Sequence, residues 1–308
     1  MSLARSALLR ASKSEWLAQQ VTRRSFTRRA VQRFMPGERL EDALAAAAAL
    51  ATTGRGVVLT QLGEERTSLD EAAAVRDHYL GVFDQLAARK LEGHVSIKPT
   101  QLGLNLSPAA CEEHLLALAA RADATGVDLY IDMEDSSYVD PTLALYRTLR
   151  GRHERVGLAI QSYLRRTPAD IEALLPLRPR IRLVKGAYME PAEVAFPEKA
   201  AVDRAYVELG DRLLQAAARD GCRLIIGSHD MSLVPRLVAQ AARHGTRDGQ
   251  YEIHMLYGIR DGEQRQLAAE GRTVKTLISY GEAWFRWYMR RLAERPANVL
   301  FVMRSLVG

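Results

Sequence analysis

The chain has 308 residues, 47% of them hydrophobic, so it can form one large domain or two ordinary ones around a sizeable core. Its formal net charge of +6 comes from basic residues that are spread along the chain and mixed with acids, which argues against a nucleic-acid partner. No apolar run approaches the roughly 20 residues that span a bilayer.

The two cysteines and the N-terminal residues indicate the cellular compartment of the protein. Cys111 and Cys222 match no metal-ligand spacing and no redox pair, so we interpret both as core residues of a protein in a reducing environment. Residues 1–16 are basic but lack a continuous apolar core and a cleavage site, which predicts a helix rather than an export signal. The sequence therefore favours a cytoplasmic protein.

Two kinds of pattern follow one another along the chain. Residues 1–50 are predicted to be helical, with a break at Pro36-Gly37 and a second helix from Leu40 to Ala51. After residue 51, short β-branched apolar runs alternate with longer amphipathic stretches. The first seven strands are expected to begin at residues 56, 94, 127, 156, 181, 223 and 252, and the helices after them at residues 68, 107, 141, 168, 198, 231 and 261.

The last unit consists of a strand from Arg272 to Leu277, a turn at residues 279–281 and a helix from Glu282 to Arg295. Eight strand-helix units require a parallel sheet with right-handed crossovers, which predicts a closed (β/α)8 barrel of the TIM type. A doubly wound open sheet is the alternative, but no G-x-G-x-x-G follows the first strand. We expect residues 1–50 to be a helical extension, residues 51–308 to be the barrel, and the final helix to lie over the barrel mouth.

The active site of such a barrel lies at the carboxyl ends of the strands, and these ends are polar here. The candidate residues at these ends are Lys98, Asp132, Gln161, Lys185, Gly186, Ala187, Ser228, His229, Asp230 and Leu256.

One chemistry compatible with these residues is metal-dependent hydrolysis. His229, Asp230 and His254 have the side chains that zinc or manganese prefers. The first strand, however, ends in residues 60–63 without the H-x-H pattern expected of barrel hydrolases. We therefore treat hydrolysis as the less favoured alternative and expect no metal site.

The other chemistry uses anions. Lys98, Arg182 and Lys185 lie on separate strands, and residues 290–295 add the run R-R-x-x-E-R with Arg290, Arg291 and Glu294 on one helix. This much positive charge suits a dinucleotide pyrophosphate together with a carboxylate substrate. The simpler interpretation of Arg290 and Glu294 is a surface pair worth about 0.3–0.5 kcal/mol.

Five segments in order carry a resemblance: I-D-M-E-D (131–135), L-A-I-Q-S-Y (158–163), I-R-L-V-K-G-A-Y (181–188), M-L-Y-G-I-R (255–260) and M-R-R-L-A-E-R-P-A-N (289–298). They resemble the proline dehydrogenase family, in its monofunctional bacterial form. The resemblance implies a (β/α)8 barrel that binds FAD at the strand ends and oxidises L-proline to Δ1-pyrroline-5-carboxylate. It also implies membrane quinone as the electron acceptor, and hence a peripheral position at the inner face of the membrane as one alternative.

The resemblance also implies roles for individual residues. Arg290, Arg291 and Lys98 would clamp the substrate carboxylate, with Glu294 steadying the arginines, and Arg182 and Asp132 would take part in catalysis. The substrate pocket would further include Ala187, Leu256, Leu277 and Trp287. The flavin contacts would be Gln161, Arg182, Lys185, Gly186, Ala187, Ser228, His229, Asp230 and Glu294.

Three positions depart from the family pattern. Leu277 replaces a tyrosine whose hydroxyl usually pairs with the aspartate at position 132, so Asp132 needs another partner such as Lys98. Trp287 also replaces a tyrosine, and His254 replaces a glutamine. Because the ring pocket is altered, 4-hydroxyproline or another cyclic secondary amino acid is the alternative substrate to proline. An aldehyde dehydrogenase would be the partner that receives the product.

Overall fold

The computed structural model describes residues 33–63, 66–285, 288 and 289. Eight parallel strands form a closed barrel in which each strand pairs with the next and β8 returns to pair with β1. The strands are β1 Gly56–Gln61, β2 Gly93–Ile97, β3 Asp128–Ile131, β4 Val156–Gln161, β5 Arg180–Val184, β6 Arg223–Gly227, β7 Tyr251–Leu256 and β8 Val274–Tyr280. The predicted (β/α)8 barrel is confirmed.

Helices cover the outside of the barrel. They are α1 Leu40–Ala51, α2 Leu69–Ala88, α3 Pro108–Thr125, α4 Val139–Arg150, α5 Thr167–Leu174, α6 Lys199–Asp220, α7 Val234–His244 and α8 Asp261–Ala269. Short 3₁₀ turns occupy Pro99–Leu102, Ser136–Tyr138 and Leu175–Leu177. Among the described helices, none is long and apolar enough to cross a membrane.

Local sequence signals explain where several helices begin. The Ser68 side chain accepts a hydrogen bond from the backbone N–H of Glu71, and Ser107 does the same for Ala110. Serine at the N-cap satisfies one of the amide groups that the first helical turn leaves without a partner. These two caps lie where the sequence predicted α2 and α3 to start.

Two predicted boundaries were wrong by three residues. Residues 279 and 280, predicted to turn, belong to β8 because this strand continues to pair with β1, and the N–H of Leu62 donates to the carbonyl of Tyr280 at 2.7 Å. Helix α7 begins at Val234 rather than at residue 231. The Asp230 side chain accepts from the Ser232 N–H at 3.1 Å, and this local turn competes with the helix.

The predicted helix from Leu40 to Ala51 is present as α1 and packs against β1 and β8. Its buried face, formed by Ala43, Leu44, Ala47 and Leu50, joins the main hydrophobic core. Residues 1–32 lie outside the described part of the chain, so the boundary between a helical extension and the barrel stays a prediction.

Gly157 on β4 shows how tightly the barrel interior is filled. A Cβ added to this residue would overlap the buried ring of Tyr130 on the neighbouring strand β3. Overpacking a close-packed core forces side chains and backbone out of their preferred positions. Position 157 therefore requires glycine, because any side chain would occupy the space of the tyrosine ring.

We expect Gly157→Ala to lower the free energy of unfolding by about 1–3 kcal/mol, measured by urea denaturation. Gly262→Ala is the matched control, because nothing lies within 4 Å of a Cβ added in this helix. The control should be neutral or stabilising by up to about 1 kcal/mol. Equal destabilisation by both substitutions would contradict the steric explanation.

Candidate active site

A cluster of polar side chains lies at the carboxyl end of the barrel, where β2, β3 and β5 end. Asp132 Oδ1 accepts a hydrogen bond from Ser96 Oγ at 2.7 Å and another from Arg182 Nη2, and Asp132 Oδ2 lies 3.4 Å from Lys98 Nζ. The structure thus brings together Lys98, Asp132 and Arg182, as the sequence predicted. It also gives Asp132 the expected partner Lys98.

Ser96 connects this cluster, and the sequence analysis missed it. Its hydroxyl donates to Asp132 and accepts from Arg182 Nη2 at 2.8 Å, and the residue is fully buried. Side chains two residues apart on a strand point to the same face, so Ser96 has to share the barrel interior with Lys98. That spacing was the available signal, although serine is too common in strands to stand out.

The neighbouring cations keep Asp132 ionised. Burial alone would raise the pKa of this carboxyl group, but the charges of Arg182 and Lys98 and the hydrogen bond from Ser96 outweigh burial and lower it. Two cations therefore face one carboxylate at neutral pH. The cluster carries one excess positive charge, which favours an anionic ligand at the barrel mouth.

The lowered pKa predicts how stability depends on pH. Because the folded-state pKa of Asp132 lies below the ordinary value of 3.8, ionised Asp132 stabilises the fold above that value and loses this contribution as pH falls through the folded pKa. We expect the stability difference between wild type and Asp132→Asn to be largest near neutral pH and to shrink below about pH 4.

Urea denaturation at a series of pH values would measure this difference, with Asp77→Asn as the control because Asp77 is largely exposed. A difference from wild type that stays constant between pH 7 and pH 3 would contradict the assigned role of Asp132.

Several buried polar atoms in the mouth have no hydrogen-bond partner among the described residues, and they include Arg182 Nη1, Gln161 Oε1 and Ser279 Oγ. The amide nitrogen of Gln161 is engaged, since it donates to the carbonyl of Glu134 at 3.2 Å and more weakly to that of Met133 at 3.4 Å. A buried donor or acceptor without a partner costs about 1–3 kcal/mol. The atoms therefore indicate a polar ligand between β4, β5 and β8.

Lys185 follows β5 and lies between two carboxylates. Its Nζ is 2.6 Å from Asp203 Oδ1 and 2.7 Å from Asp230 Oδ2. Burial would raise the pKa of Asp230, but its hydrogen bonds with Lys185 and Ser232 hold the pKa well below the ordinary range. An ammonium group has three donors, so Lys185 keeps one for a ligand oxygen.

The segment around Lys185 contains the other predicted cofactor contacts. Gly186 has φ +115°, and a Cβ there would overlap the ring of Tyr163, so only glycine fits. Ala187 is exposed, whereas Ser228 and His229 are half-buried after β6. The Ser228 hydroxyl accepts from the backbone N–H of Asp230 at 3.1 Å.

An apolar wall faces this polar side of the mouth. Leu256 on β7 and Leu277 on β8 are paired in register, and both are partly exposed. The alternation of β8 directs Leu277 to the same face as the interior residue Lys275. The leucines thus form a continuous apolar surface beside the polar cluster.

The structure separates the residues considered for a hydrolytic metal site. His254 is buried one layer below the mouth, where it lies 3.1 Å from Glu252, whereas His229 and Asp230 follow β6 at the mouth. Within the described ranges, these three residues do not form a group with metal-ligand spacing. The predicted contacts of Trp287, Arg290, Arg291 and Glu294 lie outside the described residues.

Comparisons with known proteins match most of this chain to one family. The family model described as proline dehydrogenase matches residues 43–304. Proline dehydrogenase 1 of Bacillus subtilis is 36% identical over 281 residues, which cover 91% of this chain and 92% of that protein. The proline dehydrogenase of Deinococcus radiodurans is 37% identical over 281 residues, covering 90% and 89% of the two chains.

Solved structures resemble this chain in fold. The crystal structure of proline utilization A (PutA) from Bdellovibrio bacteriovorus inactivated by N-propargylglycine superposes with a TM-score of 0.80 at 20% sequence identity. The match covers 93% of this chain and 38% of that longer chain. At this identity, the match supports the barrel fold alone.

Proposed function

Because this chain belongs to the proline dehydrogenase family, we propose that it oxidises L-proline to Δ1-pyrroline-5-carboxylate with bound FAD and passes the electrons to a quinone. The observation that carries the proposal is the position of Arg182. One of its terminal nitrogens is engaged by Asp132 and Ser96, while the other is buried without a partner among the described residues. A fixed donor of this kind suits an electron-rich ring that gains negative charge.

The residues at the mouth fit FAD by their donor and acceptor chemistry. Arg182 Nη1 offers a donor and Gln161 Oε1 an acceptor, which suit the alternating polar atoms of the isoalloxazine edge. Lys185 retains one N–H for a phosphate oxygen, and Gly186 permits close approach of the backbone. Ala187, Ser228, His229 and Asp230 would complete this side. When bound, FAD supplies the acceptor for the hydride.

The protein would bind the substrate through its carboxylate. Lys98 and Arg182 together exceed the charge of Asp132 by one, so an anion is favoured beside them. From the family resemblance we propose Arg290 and Arg291 as the second part of the clamp, supported by Glu294. Holding the carboxylate at two points would fix the ring against the apolar wall of Leu256 and Leu277.

The same charges would prepare the amine for oxidation. Only a neutral amine has the lone pair that assists hydride loss from the adjacent carbon. Cations at the mouth disfavour a second positive charge on the substrate nitrogen and so lower the pKa of the bound amine. Orientation and electrostatics then suffice, and the residues need not include a dedicated general base.

Absorption spectroscopy tests the proposal directly. The purified protein should absorb near 450 nm, as flavins do, and L-proline should bleach this band without oxygen. Turnover with a soluble quinone should follow, and an aldehyde dehydrogenase would consume the product. Protein without flavin, or flavin that no cyclic amino acid reduces, would contradict the proposal.

A substituted ring is the second candidate substrate, and Leu277 favours it. This residue lies in register with Leu256 on the apolar wall, at the position where the family commonly has tyrosine. The absence of a phenol hydroxyl leaves room beside the ring, and Trp287 would reshape another part of the pocket.

We expect Leu277→Tyr to raise the ratio of kcat/KM for proline over trans-4-hydroxyproline by about 10-fold, which corresponds to about 1.4 kcal/mol. Steady-state rates with proline, trans-4-hydroxyproline and pipecolate would measure it. Leu69→Tyr, the same substitution at an exposed leucine at the start of α2, is the control and should leave the ratio nearly unchanged. An unchanged ratio in Leu277→Tyr would remove Leu277 from the specificity pocket.

A further inference from the structure

Three potential metal ligands meet inside the barrel, one layer below the polar cluster of the mouth. Glu252 Oε2 lies 3.1 Å from His254 Nε2 and 3.6 Å from His94 Nε2, and the ligand atoms of all three residues lie within 4.8 Å of one another. With zinc-ligand bonds of about 2.0–2.2 Å, the ligand atoms of a tetrahedral site are separated by roughly 3.3–3.5 Å. The two separations measured from Glu252 Oε2 lie on either side of this range.

We propose that this chain binds one divalent transition-metal ion, best matched by zinc, through His94, Glu252 and His254. Two imidazole nitrogens and a carboxylate oxygen are ligands that zinc accepts. His94 comes from β2, whereas Glu252 and His254 come from β7, so the ion would connect strands that are not neighbours in the barrel. This site is separate from the proposed flavin and proline sites.

The protonation of the three residues suits a metal. Burial lowers the pKa of His94 well below its ordinary value and that of His254 to about 4, so both rings are neutral at pH 7. Burial alone would raise the pKa of Glu252, but contacts that include a hydrogen bond from His254 and the charge of Lys275 hold it well below the ordinary range. Neutral imidazole and ionised carboxylate are the forms that bind metal ions.

Protein groups alone leave both imidazoles incompletely satisfied. The Nδ1 atoms of His94 and His254 are buried and have no hydrogen-bond partner among the described residues. The two side chains are 5% and 3% exposed, so bulk solvent does not reach them freely. Metal ligation is a recognised reason to keep histidines inside a core. It would use the Nε2 atoms, which face Glu252, so the buried Nδ1 atoms are not the ligand positions.

The ammonium group of Lys275 lies close to the proposed site and would repel a metal ion. Its Nζ lies 2.9 Å from Glu252 Oε2 and also 2.8 Å from Glu92 Oε1 at the barrel base. The lysine can remain paired with Glu92 while Glu252 binds the ion through one oxygen. The negative charges of Glu92 and Glu252 then oppose the repulsion between the ammonium group and the metal.

A cavity offers an entry path for the ion and space for a water molecule as its fourth ligand. It has a volume of about 420 Å³, lies at the amino-terminal end of the barrel, and is lined by His94, Asp128, Glu252 and Lys275 among others. Asp128 is already paired with Arg155 at 2.9 Å and with Arg180, so a water molecule from the cavity is the natural fourth ligand. The ion would stabilise the fold from the end opposite to the substrate site.

The test is zinc binding by the full chain after treatment with a chelator. Zinc would be titrated in competition with a chromophoric chelator, and cobalt would replace it to report tetrahedral coordination by visible absorption. The variants are His94→Gln and His254→Gln, which retain side-chain bulk. The control is His244→Gln. His244 lies 2.8 Å from the carboxylate of Asp211, but this pair is on the outer surface of the protein.

Wild type and His244→Gln should bind one zinc ion per chain, and His94→Gln and His254→Gln should bind it at least about 100-fold more weakly. Zinc should raise the Tm of the first pair only. Wild type that binds less than about half an equivalent would overturn the proposal even if the variants fail to fold, because the cluster would then be a charge network without metal. Zinc binding that survives both substitutions would assign the ion to another surface and equally overturn it.

Discussion

Arg182→Met is expected to lower kcat/KM for L-proline by about 10³-fold or more. The substitution removes the buried Nη1 donor that faces the proposed flavin position, and loss of one such preorganised donor costs about 10²–10³-fold in rate. It also leaves Asp132 with only Lys98 as a cationic partner among the described residues. The cluster would then have no excess positive charge to attract the substrate carboxylate.

Two further arginine variants define what Arg182 contributes. Arg182→Lys keeps the charge but lacks the two terminal guanidinium nitrogens, which can bind Asp132 and a ligand at the same time. This variant should therefore recover only part of the activity. Arg166→Met is the control, because Arg166 also pairs with two aspartates, Asp140 and Asp170, but on the surface. Steady-state kinetics and flavin content would be measured for each variant. Full activity in Arg182→Met with bound flavin would remove Arg182 from the active site.

Lys275→Met is expected to lower the free energy of unfolding by about 3–5 kcal/mol, because it leaves a buried carboxylate without its ammonium partner. Lys275 is 2% exposed, and its Nζ lies 2.9 Å from the buried Glu252. Burial alone would lower the pKa of this lysine, but Glu252 and Glu92 raise it, so the side chain stays charged inside the barrel. Urea denaturation with a chelator present would separate this effect from metal binding.

Two comparisons test whether the loss comes from the unpaired charge. Lys199→Met removes an exposed lysine that pairs with Asp203, and it should cost less than about 1 kcal/mol. The double variant Lys275→Met with Glu252→Leu removes both charges and should recover about 1–4 kcal/mol of the loss, since an apolar pair can replace a buried ion pair. No recovery in the double variant would indicate that packing, not charge, explains the effect.

The barrel could be predicted from the sequence because its signals are local and repeated. Strand-helix units occur eight times, and serine caps such as Ser68 and Ser107 mark helix starts. The ends of strands and helices were less predictable where pairing with a strand from a distant part of the chain decides them. Residues 279 and 280 looked like a turn, but pairing with β1 extends the strand.

The candidate site was predictable where a charged residue ends a strand. Lys98 and Asp132 were identified in this way, and they converge because parallel strands end at the same rim. Arg182 lies within β5 and was identified from its positive charge and from the family resemblance. Ser96 was missed because its role depends on two partners from β3 and β5. No pattern along β2 alone records those distances.

By itself, the sequence determined the fold class, the strand ends that form the mouth, and the family, since all three depend on residue types in a fixed order. Only the tertiary structure decided that Asp132 also pairs with Ser96 and Arg182, and that Lys185 lies between Asp203 and Asp230. It also decided that β2 and β7 bring His94 close to Glu252 and His254. The physical reason is barrel closure. It brings side chains from distant parts of the chain into one interior, where their distances set both charge and chemistry.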